Sequence, residues 1–127
     1  MHTPYQNRLG HEADFKVKYR FYLAEEGGRK YTPHQGYRSD FWYYHPSHDG
    51  TNQFFMIWPE FLDERGNVIL EEQGSVPLSG IAQMWIINSE TRNYHNDKIV
   101  LGLKGYFMEV PRRVAECEVI EIGNLKM

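Results

Sequence analysis

Two imidazoles and a carboxylate fall within five residues at His45-Pro46-Ser47-His48-Asp49, a set that in principle could ligate a metal with water completing the shell. No fourth ligand accompanies them, and a Pro-containing turn ahead of Gly50 explains the same residues, so a turn is expected. Cys117 would be a nucleophile only beside a histidine base. It stands in phase with Val119 in an alternating run, where a small buried core residue is expected. Glu25-Glu26 and Glu71-Glu72 are paired carboxylates of the kind used in general acid–base chemistry. Glu71-Glu72 lies at a loop or strand end with no apolar pocket to raise a pKa, so solvated charge is expected there. The chain has no G-x-x-x-x-G-K-S/T phosphate loop, HExxH motif or nucleophile elbow. No catalytic residue, cofactor or metal is therefore assigned, the chain is not expected to be an enzyme, and neither GTP nor GDP is expected to bind.

The elements available to position any site are strands. The chain has 127 residues, 41% apolar and 24% charged, which reads as one domain able to bury a core without staples. Aromatics make up 15%, a density that favours strands and supplies contact area when exposed. Phe15, Val17, Tyr19 and Phe21 alternate against Lys16, Lys18 and Arg20, which predicts one buried face and one row of positive charge. Further strands are predicted over 37–44, 51–58, 81–88 and 98–110, with a hairpin about Gly66-Asn67 and a last alternating strand after Pro111. Glycines 102 and 105 suggest bends or bulges. Residues 1–13 read as a loose lead-in, residues 14–127 as the barrel, and 89–97 as a polar loop. The spacing predicts an all-β, single antiparallel β-barrel of six or seven strands. Phe15, Val17, Tyr19, Phe21, Phe41, Ile81, Ile86 and Val114 are its expected core.

Charge and cysteine content narrow the partners. A net charge of −3 gives no surplus of cations for nucleic acid or an anionic membrane, although it leaves room for a local basic patch. No apolar run approaches the ~20 residues of a membrane-crossing helix. One cysteine, with no leader-like apolar stretch at the start, makes a cytoplasmic location the expectation.

One set of residues has a familiar order. Glu25-Glu26-Gly27-Gly28-Arg29, Thr32-Pro33 and Gly36-Tyr37-Arg38, followed by Phe41 and Tyr43, resembles the start of the third, C-terminal β-barrel domain of elongation factor Tu. The likeness continues through Asp49-Gly50-Thr51, the Pro77 turn and Arg112-Arg113-Val114, and spans roughly Asp14 to Ile122. It implies a compact antiparallel barrel standing alone without the GTPase domain. The stretch 58–73 is longer than the family's equivalent and reads as an added hairpin. At the family's tRNA-contact positions, Asp40 and Asp49 replace neutral hydrogen-bonding residues, while Glu109 is kept. Two carboxylates where phosphates would pass oppose tRNA binding. Tyr106 falls where a small residue faces the GTPase domain in the family.

Three functions from different classes follow. The first is a non-catalytic module that holds a protein partner, linked to translation through the resemblance. Its contact residues would be Gly27, Gly28, Arg29, Tyr37, Arg38 and Glu109. The glycines would admit a foreign backbone, the arginines would make planar contacts and Tyr37 would anchor apolar area. Against this stands an internal role, in which the same arginines brace the barrel. The second function is an RNA-binding module using Lys16, Lys18, Arg20, Arg29, Lys30, Arg38, Arg112 and Arg113 with exposed tyrosines. The third is a small enzyme with an unannounced pocket.

Overall fold

The computed structural model describes residues 1–46 and 54–126. Six strands form one antiparallel sheet: β1 (Phe15–Phe21), β2 (Asp40–Tyr43), β3 (Ile57–Phe61), β4 (Ser79–Ile86), β5 (Lys104–Glu109) and β6 (Arg112–Ile122). Their order is β2-β5-β6-β1-β4-β3. Two five-residue helices, α1 (Tyr5–Leu9) and α2 (Arg92–Asn96), flank it. The fold is all-β. The sheet curls until its edges meet at one pair, where Phe41 N donates to Phe55 O at 2.9 Å and Phe55 N to Phe41 O at 3.0 Å. Beyond that pair the open edge of β3 is blunted in two ways. Pro59 has no N–H to offer. The buried Gln35 amide donates to Phe61 O at 2.9 Å and accepts from Phe61 N at 2.9 Å, taking the place of a neighbouring strand.

Alternation in β1 places Phe15, Val17, Tyr19 and Phe21 inside. There they meet Phe41, Tyr43, Phe61 and Phe107 in one aromatic network, with Tyr19 and Phe61 edge to face at 5.1 Å. Burying such a side chain contributes about 1.5–3 kcal/mol. Gly105 makes room for this network, because a Cβ there would lie 2.3 Å from Phe41 Cζ. Gly105 is therefore not a bulge. The register shifts lie elsewhere, between Phe107 and Met108 against β6 and between Lys16 and Val17 against β6. They produce the phase slip visible in the last strand.

Three expectations are corrected. Ile81 faces outward and is only partly buried, and Ala82, Met84 and Ile86 supply the inner face of β4. The lead-in is ordered against the outside of the sheet: Tyr5 is 4% and His2 7% exposed, and Tyr5 packs edge-on against Trp85 at 6.0 Å. The polar loop at 89–97 contains α2, whose His95 is fully buried and bonded through Nδ1 to Tyr43 OH at 2.7 Å. The hairpin about Gly66 is present, with Asp63 N donating to Asn67 O at 2.8 Å and a bridge pairing Leu62 with Val68.

Candidate protein-contact surface

The segment after β1 delivers an arginine to the far hairpin. Leu23 N donates to the Glu26 carboxylate at 2.7 Å, and Gly27, at φ 90°, closes the 3-10 turn. Gly28 follows with no room for a side chain, since a Cβ would lie 2.2 Å from Tyr22 O. The close approach that Gly28 allows is thus made by the chain itself, whereas a Cβ at Gly27 would meet nothing within 4 Å. Arg29 then donates from Nε to Tyr31 O at 2.9 Å and from Nη1 to Glu109 Oε2 at the end of β5. Tyr37 OH donates to the same oxygen, and Arg112 Nη2 donates to Oε1 at 3.1 Å. The Arg29 guanidinium lies 5.2 Å from the Tyr37 ring centre.

Partial burial opposes ionisation of Glu109, but the bonds from Tyr37 and Arg29 and the adjacent positive charge outweigh it and hold the carboxyl below its ordinary range. Burial, followed by the bond to Glu109, pushes the Tyr37 phenol well up. A carboxyl depressed on folding stabilises the fold above its unfolded pKa, and that stabilisation is lost as pH falls through the folded value. Glu109→Gln is therefore expected to cost about 1.5–3 kcal/mol at neutral pH, the range for bonds to charged groups. The gap between wild type and variant should close as the pH is lowered below the ordinary value of 4.5. Denaturant melts across pH check both statements.

Of the six residues named from sequence for partner contact, the structure brings three together, Arg29, Tyr37 and Glu109, and the contact among them is internal. Arg38 goes elsewhere, with its guanidinium 4.7 Å from the Trp58 ring centre. Asp40 opens β2 opposite Met108, and Asp49 lies outside the described residues, as do Ser47 and His48. Among the described residues no three His, Cys, Asp or Glu side chains gather as a metal set. Cys117 is buried, and burial pushes its thiol well up. Glu72 pairs at the surface with the terminal amine of Met1 at 2.8 Å.

The positive row of β1 is answered in register by a negative row on β6. Lys16 stands opposite Glu121, Lys18 opposite Glu118 and Arg20 opposite Glu116. Lys16 pairs with Glu121 at 3.2 Å, Arg20 with Glu116 at 3.2 Å and with Glu26 at 3.1 Å, and Lys104 with Glu118. With Arg29 and Arg112 on Glu109, four of the eight cations proposed for RNA hold a carboxylate, and Lys18 faces Glu118 in register. Lys30, Arg38 and Arg113 instead lie over Tyr31, Trp58 and the Trp42–Tyr106 pair.

Beside the Arg29–Tyr37 brace lies an open groove of about 600 Å³, walled by the 29–37 segment and Ser75. Thr32 Oγ1 donating to Val76 O at 2.6 Å and Val76 N donating to Pro33 O at 2.9 Å fix its far side. Tyr31 stands at its rim, 69% exposed. Tyr31 and the outward Trp42 were absent from the sequence-based set. Strict alternation through Asp40-Phe41-Trp42-Tyr43 carries the signal for Trp42, since Phe41 and Tyr43 cannot be inside unless Trp42 is outside. Together these features define an all-β open barrel with a self-neutralised charged face and an aromatic-rimmed groove. No family model and no curated protein sequence matches the chain. No helix among the described residues is long and apolar enough to cross a membrane.

Proposed function

We propose that this barrel is a non-catalytic protein-binding module, with the groove beside the Arg29–Tyr37–Glu109 brace as its contact surface. The observation that carries this reading is the in-register pairing of the β1 cations with the β6 carboxylates. Phosphates approaching that face would have to displace bonded carboxylates, which removes most of the counterion-release gain that drives nucleic-acid binding. Apolar and aromatic surface remains available at the groove, where Tyr31 offers area at low ordering cost. The resemblance of residues 25–43 to the elongation factor Tu barrel supports a partner connected with translation, whose own surface would replace the neighbouring domains of the parent.

The internal role of Arg29 changes which variant tests this. An Arg29→Ala change would disturb the brace, whereas Tyr31→Ala removes an exposed ring that meets the Lys30 ammonium and keeps the backbone oxygen to which Arg29 donates. The experiment is affinity capture from cell extract with wild type and Tyr31→Ala, after nuclease treatment. A protein recovered by wild type and lost with Tyr31→Ala, at equal melting temperature, is expected. Recovery that disappears with nuclease would favour RNA instead.

A further inference from the structure

On the outward face of β2, β5 and β6, Trp42 and Tyr106 sit opposite each other in register with ring centres 5.7 Å apart. Arg113, exposed at the start of β6, lies across both, 4.0 Å from the Tyr106 centre and 5.1 Å from the Trp42 centre. Its setting differs from that of its neighbours. Arg20, Arg112 and Lys104 each hold a carboxylate, whereas the Arg113 side chain has no hydrogen bond or ion pair with any described residue. Its guanidinium lies over two rings, and its N–H donors have no acceptor among the described residues.

A guanidinium fixed in this way is prepared for a planar, two-point acceptor, because the ordering cost has been met before binding. Trp, Tyr and Arg are also the residues most enriched where interfaces concentrate their energy. We propose that Arg113, on its Trp42–Tyr106 platform, receives an Asp or Glu carboxylate of the protein partner, with an apolar neighbour of that residue resting against Trp42. This rests on the protein-binding reading. Charge complementarity selects the occupant. The cation is unmatched, so the occupant carries negative charge; yet Glu116 stands in the same row as Tyr106 and Asp40 shares the outward face of β2 with Trp42. A single carboxylate fits between these acids, whereas a run of phosphates would meet them.

The test uses a random-peptide display library selected on the intact protein, followed by titration of a selected synthetic peptide. Selected peptides are expected to be enriched in Asp or Glu. Arg113→Ala should bind the selected peptide at least about tenfold more weakly, as loss of a charge-assisted paired contact implies. The peptide's own acid-to-amide analogue should lose as much, with no further loss when both changes are combined. Arg113→Lys, which keeps the charge and loses the fork, should recover only part of the affinity. Peptides that bind Arg113→Ala and wild type equally would overturn the inference and leave the protein-binding reading standing. Failure of any peptide to enrich, with a labelled oligouridylate bound instead, would overturn both.

Discussion

Replacing Glu60 by alanine is expected to destabilise the protein by about 3–5 kcal/mol, because it leaves several buried hydrogen-bonding groups without their partner at about 1–3 kcal/mol each. Glu60 is 1% exposed on the outer side of β3. Its Oε2 accepts from His2 Nε2 at 2.6 Å and from Tyr5 N at 2.9 Å, and its Oε1 accepts from Trp85 Nε1 at 3.2 Å. Alanine would leave the Tyr5 and Trp85 donors buried without an acceptor and His2 without its partner. The loss corresponds to a fall in Tm of roughly 10–20 °C for a domain of this size. It should be local first: α1 and the residues before it are held to the sheet mainly through this carboxylate and the packing of Tyr5 on Trp85. Proteolysis within residues 1–13 and a red shift of tryptophan emission should therefore precede the global transition. Glu60→Gln keeps one acceptor oxygen and should lie between the two. A Glu60→Ala variant whose stability lies within about 0.5 kcal/mol of wild type, the ordinary range for surface changes, would show that the network is not holding the N-terminal residues as a strap.

The second large effect is expected at Asp14, which is fully buried at the start of β1. Its Oδ2 accepts from Ile86 N at 2.8 Å, and its Oδ1 accepts from Arg92 Nη1 at the first turn of α2. Its backbone oxygen takes Gly123 N at 3.0 Å and Leu125 N at 3.2 Å. One residue thus ties together the end of β4, α2 and the turn after β6. Asp14→Ala is expected to cost about 3–5 kcal/mol, and Arg92→Ala nearly as much, because it leaves the buried carboxylate without its cation. The two losses should not add. The double variant Asp14→Ala, Arg92→Ala should be more stable than the sum of the singles by roughly 0.5–3 kcal/mol. Additive losses in denaturant melts would mean that the two side chains act independently.

How far each feature could be read from sequence depends on whether its cause was local. The inner face of β1 was legible because four apolar residues alternate with three cations, a period that only one orientation satisfies. Ile81 was misplaced because 81–88 is nearly continuously apolar, which leaves its phase undetermined. Its outward neighbour Trp85 is apolar because the N-terminal strap covers it. That strap was missed for a related reason. Five-residue helices such as α1 and α2 are too short to show a 3.6-residue period, and their burial depends on distant partners. Glu60 left a trace, a lone carboxylate within the apolar run 54–62, and such a residue needs a partner whether or not the sequence reveals which. The brace was half legible: Arg29, Tyr37 and Glu109 were singled out, but sequence separation hid that they bond to one another. The row of carboxylates on β6 could be seen; that it lies against β1 in register could not.

That register underlies the central claim, that the cations of β1 face the barrel's own carboxylates on β6 and that the barrel holds a protein rather than a nucleic acid. The most direct measurement is the salt dependence of what the barrel retains in the capture experiment. Between about 50 mM and about 200 mM salt a binder of 6–10 phosphates loses roughly three to five decades of affinity. A protein retained through the groove should stay bound across that range after nuclease treatment and be lost with Tyr31→Ala. Retention that collapses over the same salt range, is abolished by nuclease and is untouched by Tyr31→Ala would contradict the claim.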